Sequence, residues 1–354
     1  MKRNCFRKRY LIDIPHPHFV HFFKNIICGL GQERVVVTCQ DYGIITDLLD
    51  HLGFNYVIVG RKYRSLISKA FGQVSYLFNY LKIIKERDVG YLLGTSPSVA
   101  MAAKISNKKM FFFDDDDSAV QPITKKLTVP LSDYIITPQC LEFENYGKKH
   151  YTYKGYQELA YLAPQYFKPD ISVIHKYGLE PDSYFFLRWN AFQAYHDVGQ
   201  GGIPDGSKRK LIELLEPWGR VLISSESGLK DKYGKYRLEI DPADIHHVLA
   251  FASMYIGDSQ TMTSEAAILG TPALRCNSFK GKISYLKELE ETHQLTYSFF
   301  PDEAESMFEK IKSLLKQGHL KKIWKNRKET MLANMIDVNQ FILDLLRRET
   351  GLNQ

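Results

Sequence analysis

At 354 residues the chain is too long for one ordinary core, so two domains are expected. Hydrophobic content of 44% against 25% charged is that of a globular chain, and no apolar run is long enough to span a bilayer or to serve as a signal peptide. The net charge of +7 is scattered, which suits anionic ligands or an acidic membrane surface and carries no nucleic-acid signature. The five widely spaced cysteines, with no CxxC pair, indicate neither a zinc site nor a disulfide framework and fit a reducing cytosol.

Taken in order, residues 10–14 read as a strand, 19–30 as a helix, 34–39 as a buried strand centred on three valines, and 44–52 as a helix. Residues 55–59, 89–94, 110–113 and 134–137 continue the strand series, with helices at 66–87 and 98–106. Apolar strands alternating with helices predict a parallel sheet covered on both faces, with ligands at the carboxyl ends of its strands. That rim would carry His16, Pro17 and His18, the Gly94-Thr95-Ser96 turn, and the acidic run Asp114, Asp115, Asp116 and Asp117. Residues 148–170, rich in Tyr, Gly and Pro, read as a linker. The alternation then restarts with strands at 184–187, 221–225 and 236–240 and helices at 207–215 and 245–252. An amphipathic helix follows at 303–317, then one long helical pattern over 320–348 whose basic stretch 321–328 suits either solvent or an anionic membrane.

The chain's most informative stretch is 257–272. A short apolar strand leads into Ser259, Gln260, Thr261, Met262, Thr263, Ser264 and Glu265, then a short helix stopped by Gly270 and Pro272. A loop opening a helix offers unpaired amides and the positive end of a dipole, and the hydroxyls of Ser259, Thr261, Thr263 and Ser264 add donors, a suitable cradle for a diphosphate. With Thr261 as the cap, the capping-box position falls on Ser264, so Glu265 stands outside it and can accept the hydroxyls of a ribose; the alternative is a solvated acid on a plain strand–helix turn.

Three other groups bear on chemistry. His16, His18 and His21 match no metal spacing, and His16 or His18 can serve as acid, base or phosphate contact. Four consecutive acids repel one another, so at least one needs a partner, a cation or a raised pKa. A divalent metal, a catalytic base toward a sugar hydroxyl and a solvated loop are the three readings. After the first strand of the second half, Arg188 can pair a phosphate, Trp189 can stack on a base, and Asn190 lies beside them. No GxSxG elbow or phosphate-binding Walker loop is present.

These residues resemble the GT-B superfamily, in particular the non-hydrolysing UDP-GlcNAc 2-epimerases and, more specifically, the uncharacterised DUF354 family. The likeness covers nearly the whole chain. It rests on the stretches 12–20 (Ile-Asp-Ile-Pro-His-Pro-His-Phe-Val), 37–42, 153–158 with 160–162, and 261–267 (Thr-Met-Thr-Ser-Glu-Ala-Ala). The resemblance implies two Rossmann-like domains with parallel sheets facing a central cleft and a C-terminal helix crossing back. Residues 1–165 would be the acceptor domain, 166–335 the nucleotide-sugar domain, and 336–354 the returning helix. It implies Glu265 on the ribose, residues 259–264 on the diphosphate with Arg188 and Asn190, and an acid or base among His16, His18 and Asp115. The epimerases carry a His-Arg pair where this chain has Leu187-Arg188, and a His-Val-Glu-Ala-Gly motif where it has Phe-Asp-Asp-Asp-Asp.

The expectation is therefore a cytoplasmic GT-B type glycosyltransferase of surface polysaccharide or glycoconjugate assembly. It would use a nucleotide-diphosphate sugar, UDP-linked in the first instance, and a glycan or lipid-linked acceptor, with no metal or other cofactor and with peripheral contact at the inner membrane surface. The alternatives are a sugar-nucleotide epimerase or hydrolase, a metal-using GT-A transferase, and a non-catalytic sugar-nucleotide or glycan-binding protein.

Overall fold

The computed structural model describes residues 8–61, 66–189, 201–225, 231–237 and 239–351, the side chains of 66–71 and 231 excepted. All its paired strands are parallel. Strands buried on both faces have no solvent side for polar residues, which is why they read as near-continuous Val, Ile, Leu and Phe.

The first half runs β1 (Arg9–Ile14), α1 (Pro17–Leu30), β2 (Val35–Asp41), α2 (Gly43–His51), β3 (Tyr56–Arg61), α3 (Leu66–Glu86) and β4 (Val89–Gly94). It continues with α4 (Pro97–Ile105), β5 (Lys109–Phe113), α5 (Pro122–Thr128), β6 (Tyr134–Pro138), β7 (His150–Tyr153) and α6 (Leu159–Leu162). The seven strands lie in the order β3-β2-β1-β4-β5-β6-β7. Right-handed crossovers in one direction put α1 and α2 on one face, and crossovers in the other put α3, α4 and α5 on the opposite face.

The second half runs α7 (Ile171–His175), β8 (Tyr184–Trp189), α8 (Asp205–Leu215), β9 (Arg220–Ser225), α9 (Ile245–Phe251), β10 (Met254–Gly257), α10 (Gln260–Leu269) and β11 (Ala273–Cys276). Next come α11 (Ser284–Glu291), β12 (Thr296–Phe299), α12 (Ala304–Leu315), α13 (Leu320–Leu332) and α14 (Val338–Thr350). Its five strands lie in the order β12-β11-β10-β8-β9. Strand order reverses between β1 and β4 in one sheet and between β8 and β10 in the other. Such switch points are where doubly wound sheets open a crevice at the carboxyl ends of their strands.

The chain falls into two compact units, one of residues up to Tyr161 together with those from Ile336 onward, the other Leu162–Met335. In the first unit α14 lies against α1, with the Leu343 side chain packed over Gly29, where a Cβ would sit 2.5 Å from Leu343 Cδ1 and force that side chain to shift. Tyr10 and Tyr91 bind Thr350 at 2.8 and 3.0 Å and hold the end of α14 over the sheet. No described helix is long and apolar enough to cross a membrane.

Several expectations need correction. The stretch read as a linker does hold the boundary between the two units, after Tyr161, but it is not open chain: it contains β7 and the buried residues Tyr153, Tyr156, Gln157, Glu158 and Leu159. The Ala160 carbonyl accepts amide protons from both Asn25 on α1 and Asn339 on α14, each at 2.7 Å, so this segment fastens three elements together. Among the described residues of 236–240 no strand forms: Tyr236 ends a 3-10 turn and Arg237 makes an isolated bridge to Ile223. The long C-terminal pattern is two helices, α13 and α14. The basic stretch on α13 is also partly drawn inward. Lys321 Nζ lies 2.9 Å from the carbonyls of Ala250 and Ala252 and from Thr271 Oγ1, and Lys328 Nζ lies 3.4 Å from the Leu269 carbonyl. These carbonyls lie at the C-terminal ends of α9 and α10, where a cation is favoured.

Candidate functional site

In the second unit the switch point is built from one row of the sheet. Register aligns Ser224, Arg188, Gly257, Arg275 and Ser298 across β9, β8, β10, β11 and β12. Two arginines thus flank a glycine on one face at the carboxyl end of the sheet. A Cβ on Gly257 would sit 2.5 Å from the Tyr255 hydroxyl and 2.7 Å from the Arg188 carbonyl, so no larger residue fits. Arg188 donates from Nη1 to Ser224 Oγ at 2.6 Å, and its carbonyl accepts the Asp258 amide at 3.2 Å. Arg275 is 2% exposed. Its Nη2 reaches Ser298 at 3.2 Å, whereas Nε and Nη1 have no hydrogen-bond partner among the described residues, and burial pulls its guanidinium down to about 10. The sequence reading missed Arg275 because it stands inside an apolar strand with no motif around it.

Helix α10 opens directly above this row. Ser259, not Thr261, is its cap: the Ser259 hydroxyl accepts from the Met262 amide at 3.4 Å, and its carbonyl takes the Thr263 amide. That leaves the amides of Gln260 and Thr261 as donors at the positive end of a ten-residue helix. Thr263 and Ser264 depart from the expectation, because both are buried and donate their hydroxyl protons to the carbonyls of Ser259 and Thr261. Glu265 is buried and lies 3.0 Å from His246 Nε2 on α9, so the carboxylate is held in one orientation by a residue that no spacing in the sequence marks. Trp189 is also turned inward, edge-on to Tyr233 at 5.0 Å, which removes it as a platform for a base. Asn190 lies outside the described residues.

In the first unit His16 is exposed beside the β1–β4 switch point and caps α1, its Nδ1 accepting the His18 amide at 3.4 Å, which leaves the proton on Nε2. His18 does not share that rim. It sits in the first turn of α1, buried, with Nδ1 3.1 Å from Tyr161 Oη and Nε2 2.9 Å from Gln157 Oε1. A carbonyl oxygen can only accept, so Nε2 carries the proton and Nδ1 takes that of Tyr161. Both nitrogens are engaged within the first unit, by Tyr161 and by Gln157. His18→Ala is expected to lower unfolding free energy by about 2–3 kcal/mol, because it strands two buried partners, and to leave ligand binding by the second unit intact. Urea titration with and without nucleotide measures both effects.

The acid run follows β5, and its members have different partners. Lys125 Nζ lies 3.0 Å from Asp114 Oδ2 and donates to the Asp116 carbonyl, Gln121 donates to the Asp116 carboxylate, and Asp117 is buried. Glu144 binds the Ser118 amide at 2.7 Å and stands 3.9 Å from Lys125. Asp114, Asp115 and Asp116 each place a carboxylate oxygen within 4.8 Å of the others, a grouping that can hold a cation, but Lys125 already supplies one positive charge there. Burial, then Asp116, Glu158 and Asp114, push the Asp115 carboxyl well above the usual range. Burial and Asp114 push Asp116 to about 7.

A further acid lies inside β1. Asp13 is 2% exposed and accepts from Tyr80 at 2.6 Å and Thr38 at 3.0 Å, while burial raises it to about 6. With both folded-state values raised, the folded chain holds more protons than the unfolded one between about pH 4 and 7, so stability falls as pH rises through that window. The urea midpoint is expected to decline from about pH 5 to about pH 8 and to decline less in Asp13→Asn; a midpoint that climbs over the interval contradicts this account.

Residues 9–296 match a family model described as "Protein of unknown function (DUF354)". No curated protein matches the sequence significantly. Among solved structures, the MnaA–UDP co-structure from S. aureus superposes with a TM-score of 0.72 at 12% identity, covering 98% of this chain and 98% of that one. UDP-GlcNAc 2-epimerase from Neisseria meningitidis, bound to UDP-GlcNAc, gives 0.66 at 12% identity over 96% of this chain and 100% of that one. The spinosyn rhamnosyltransferase SpnG, complexed with thymidine diphosphate, gives 0.63 at 10% identity over 96% and 99%. At such identities the likeness is one of fold, and that fold is GT-B-like.

Proposed function

The chain belongs to the DUF354 family, and from that premise we propose that it is a GT-B type glycosyltransferase using a nucleotide-diphosphate sugar. The observation that carries the reading is the opening of α10 directly over the Arg188–Gly257–Arg275 row at a sheet switch point. A helix N-terminus and a guanidinium are what a diphosphate leaving group requires as negative charge develops on it. Glu265, oriented by His246, accepts the ribose hydroxyls. The fold neighbours named with UDP, UDP-GlcNAc and thymidine diphosphate support a nucleotide diphosphate as the ligand class.

The first unit supplies acceptor binding and proton transfer. Asp115 is the candidate base. Asp114 and Asp116 have Lys125 and Gln121 as partners, whereas Asp115 is set by burial and like charges, which raise a carboxylate toward the pH at which it abstracts a proton best. As the acceptor oxygen attacks the anomeric carbon, its proton passes to Asp115, and the bond from that carbon to the diphosphate oxygen breaks. His16 offers its Nε2 proton to a hydroxyl or phosphate. Lys125 supplies one positive charge at the acid run and burial favours the neutral forms of Asp115 and Asp116, so this reading needs no resident metal, and chelator is expected to leave turnover unchanged.

The second reading is a sugar-nucleotide epimerase, which the 2-epimerases among the fold neighbours favour. Incubating the protein with UDP-GlcNAc in the absence of any acceptor separates the two. A transferase leaves the sugar's configuration at C2 intact, whereas an epimerised sugar replaces the transferase reading with its rival. Binding without turnover under any acceptor would leave a carrier of sugar nucleotides.

A further inference from the structure

Helices α3, α4 and α5 form one layer on the first sheet, α4 packing against both of the others. Their inner faces make the core; their outer faces carry apolar residues at helical spacing. Met101 and Ile105 on α4 are 41% and 59% exposed, Ile123 and Leu127 on α5 are 47% and 49% exposed, and Val74 and Phe78 on α3 are 53% and 66% exposed. Single exposed apolar residues are ordinary, but three i,i+4 pairs on adjacent helices of one layer mark an interaction face.

On α4 and α5 the charges beside this face have one sign; on α3, Lys82 and Glu86 continue the Val74–Phe78 stripe as an exposed ion pair at 3.9 Å that adds no net charge. Neither α4 (Pro-Ser-Val-Ala-Met-Ala-Ala-Lys-Ile) nor α5 (Pro-Ile-Thr-Lys-Lys-Leu-Thr) contains an acidic residue. Lys104 is exposed next to Ile105, Lys126 is exposed next to Leu127, and Lys108 follows the end of α4. Lys125 is turned inward to Asp114, so the outward charge on α5 is that of Lys126 alone. We propose that this face docks on an anionic lipid surface, with Ile105, Leu127, Met101 and Ile123 entering the headgroup boundary and Lys104, Lys108 and Lys126 contacting lipid phosphates.

Charge decides between occupants. A second copy of the chain would bring like-charged lysines together, whereas an anionic bilayer offers both the apolar depth and the opposite charge that amphipathic basic helices use. The proposal also moves membrane contact away from α13, where Lys321 and Lys328 are engaged with backbone carbonyls. It does not depend on the reading of the nucleotide site.

Co-sedimentation of the full chain with vesicles tests it. The chain is expected to sediment with phosphatidylcholine vesicles containing phosphatidylglycerol and to stay in solution with phosphatidylcholine alone. Affinity should fall by about tenfold or more in Ile105→Asp/Leu127→Asp and again in Lys104→Glu/Lys108→Glu/Lys126→Glu. Thermal melts of these surface variants confirm that they fold, and Lys322→Glu/Lys325→Glu on α13 should bind as wild type. Four results each overturn the proposal: no sedimentation with the anionic vesicles, full binding by both variants on α4 and α5, loss confined to the α13 variant, or a dimer that the Ile105→Asp/Leu127→Asp change splits while lipid binding persists.

Discussion

Arg188→Ala is expected to lower turnover by about two to three orders of magnitude, the size of effect seen when one charge-stabilising donor is removed from a developing anion. Arg188 is the penultimate residue of β8, at the switch point, and is held by Ser224 at 2.6 Å, so its guanidinium is fixed before the ligand arrives. Charge on the diphosphate grows as the glycosidic bond breaks, and the loss should therefore appear more in kcat than in affinity for the intact donor. Arg188→Lys restores the charge without the planar fork and should recover only part of the rate. Equal losses in donor affinity and turnover would reduce Arg188 to a ground-state contact.

Asp115→Asn is expected to remove turnover by about 10²–10⁴-fold while nucleotide affinity is unchanged. The substitution also carries a stability readout. Asp115 is raised by burial and by Asp116, Glu158 and Asp114, so ionising it in the fold is unfavourable, and replacing it by a neutral amide of the same shape should raise the melting temperature at alkaline pH. A variant that is both inactive and less stable would make Asp115 a structural acid. Asp114→Asn should instead lower the melting temperature: burial raises Asp114 as well, but the substitution takes the 3.0 Å partner away from buried Lys125.

Much of this architecture could be read from periodicity. Val35, Val36 and Val37, the apolar run before Asp114 and the strand before Gly257 each announced a buried parallel strand, and Gly270 with Pro272 announced the end of α10. What failed had a physical cause in each case. Tyr153, Gly155 and Tyr156 have linker composition, yet all three are buried and the carbonyl of nearby Ala160 is fixed by two asparagines from elements 135 and 179 residues away. Helical periodicity runs unbroken from Leu320 to Leu346, so nothing in it showed the break before Asp337, which caps α14. Asp13 was the clearest missed signal, an acid within an apolar strand that the hydroxyls of Tyr80, Thr38 and Ser96 make tolerable.

The site was legible as a loop opening a helix and as charges at strand ends. Its partners were not. His246 lies 19 residues before Glu265, and the choice of Lys125 rather than Lys126 as the inward lysine depends on the rotation of a seven-residue helix. His16 and His18 look equivalent two residues apart, but one is the cap and the other lies inside the first turn. Helical geometry therefore leaves His16 exposed and buries His18 against Tyr161 and Gln157.

The second unit is expected to bind a nucleoside diphosphate at the opening of α10. The most direct measurement is the melting temperature of the chain with UDP, thymidine diphosphate and GDP, in wild type and in Glu265→Ala. One diphosphate is expected to raise the wild-type melting temperature, with a much smaller rise in the variant, because the ribose contact is lost whatever the substitution does to the unliganded fold. No rise with any diphosphate in the wild type, or the same rise in both proteins, would contradict the account.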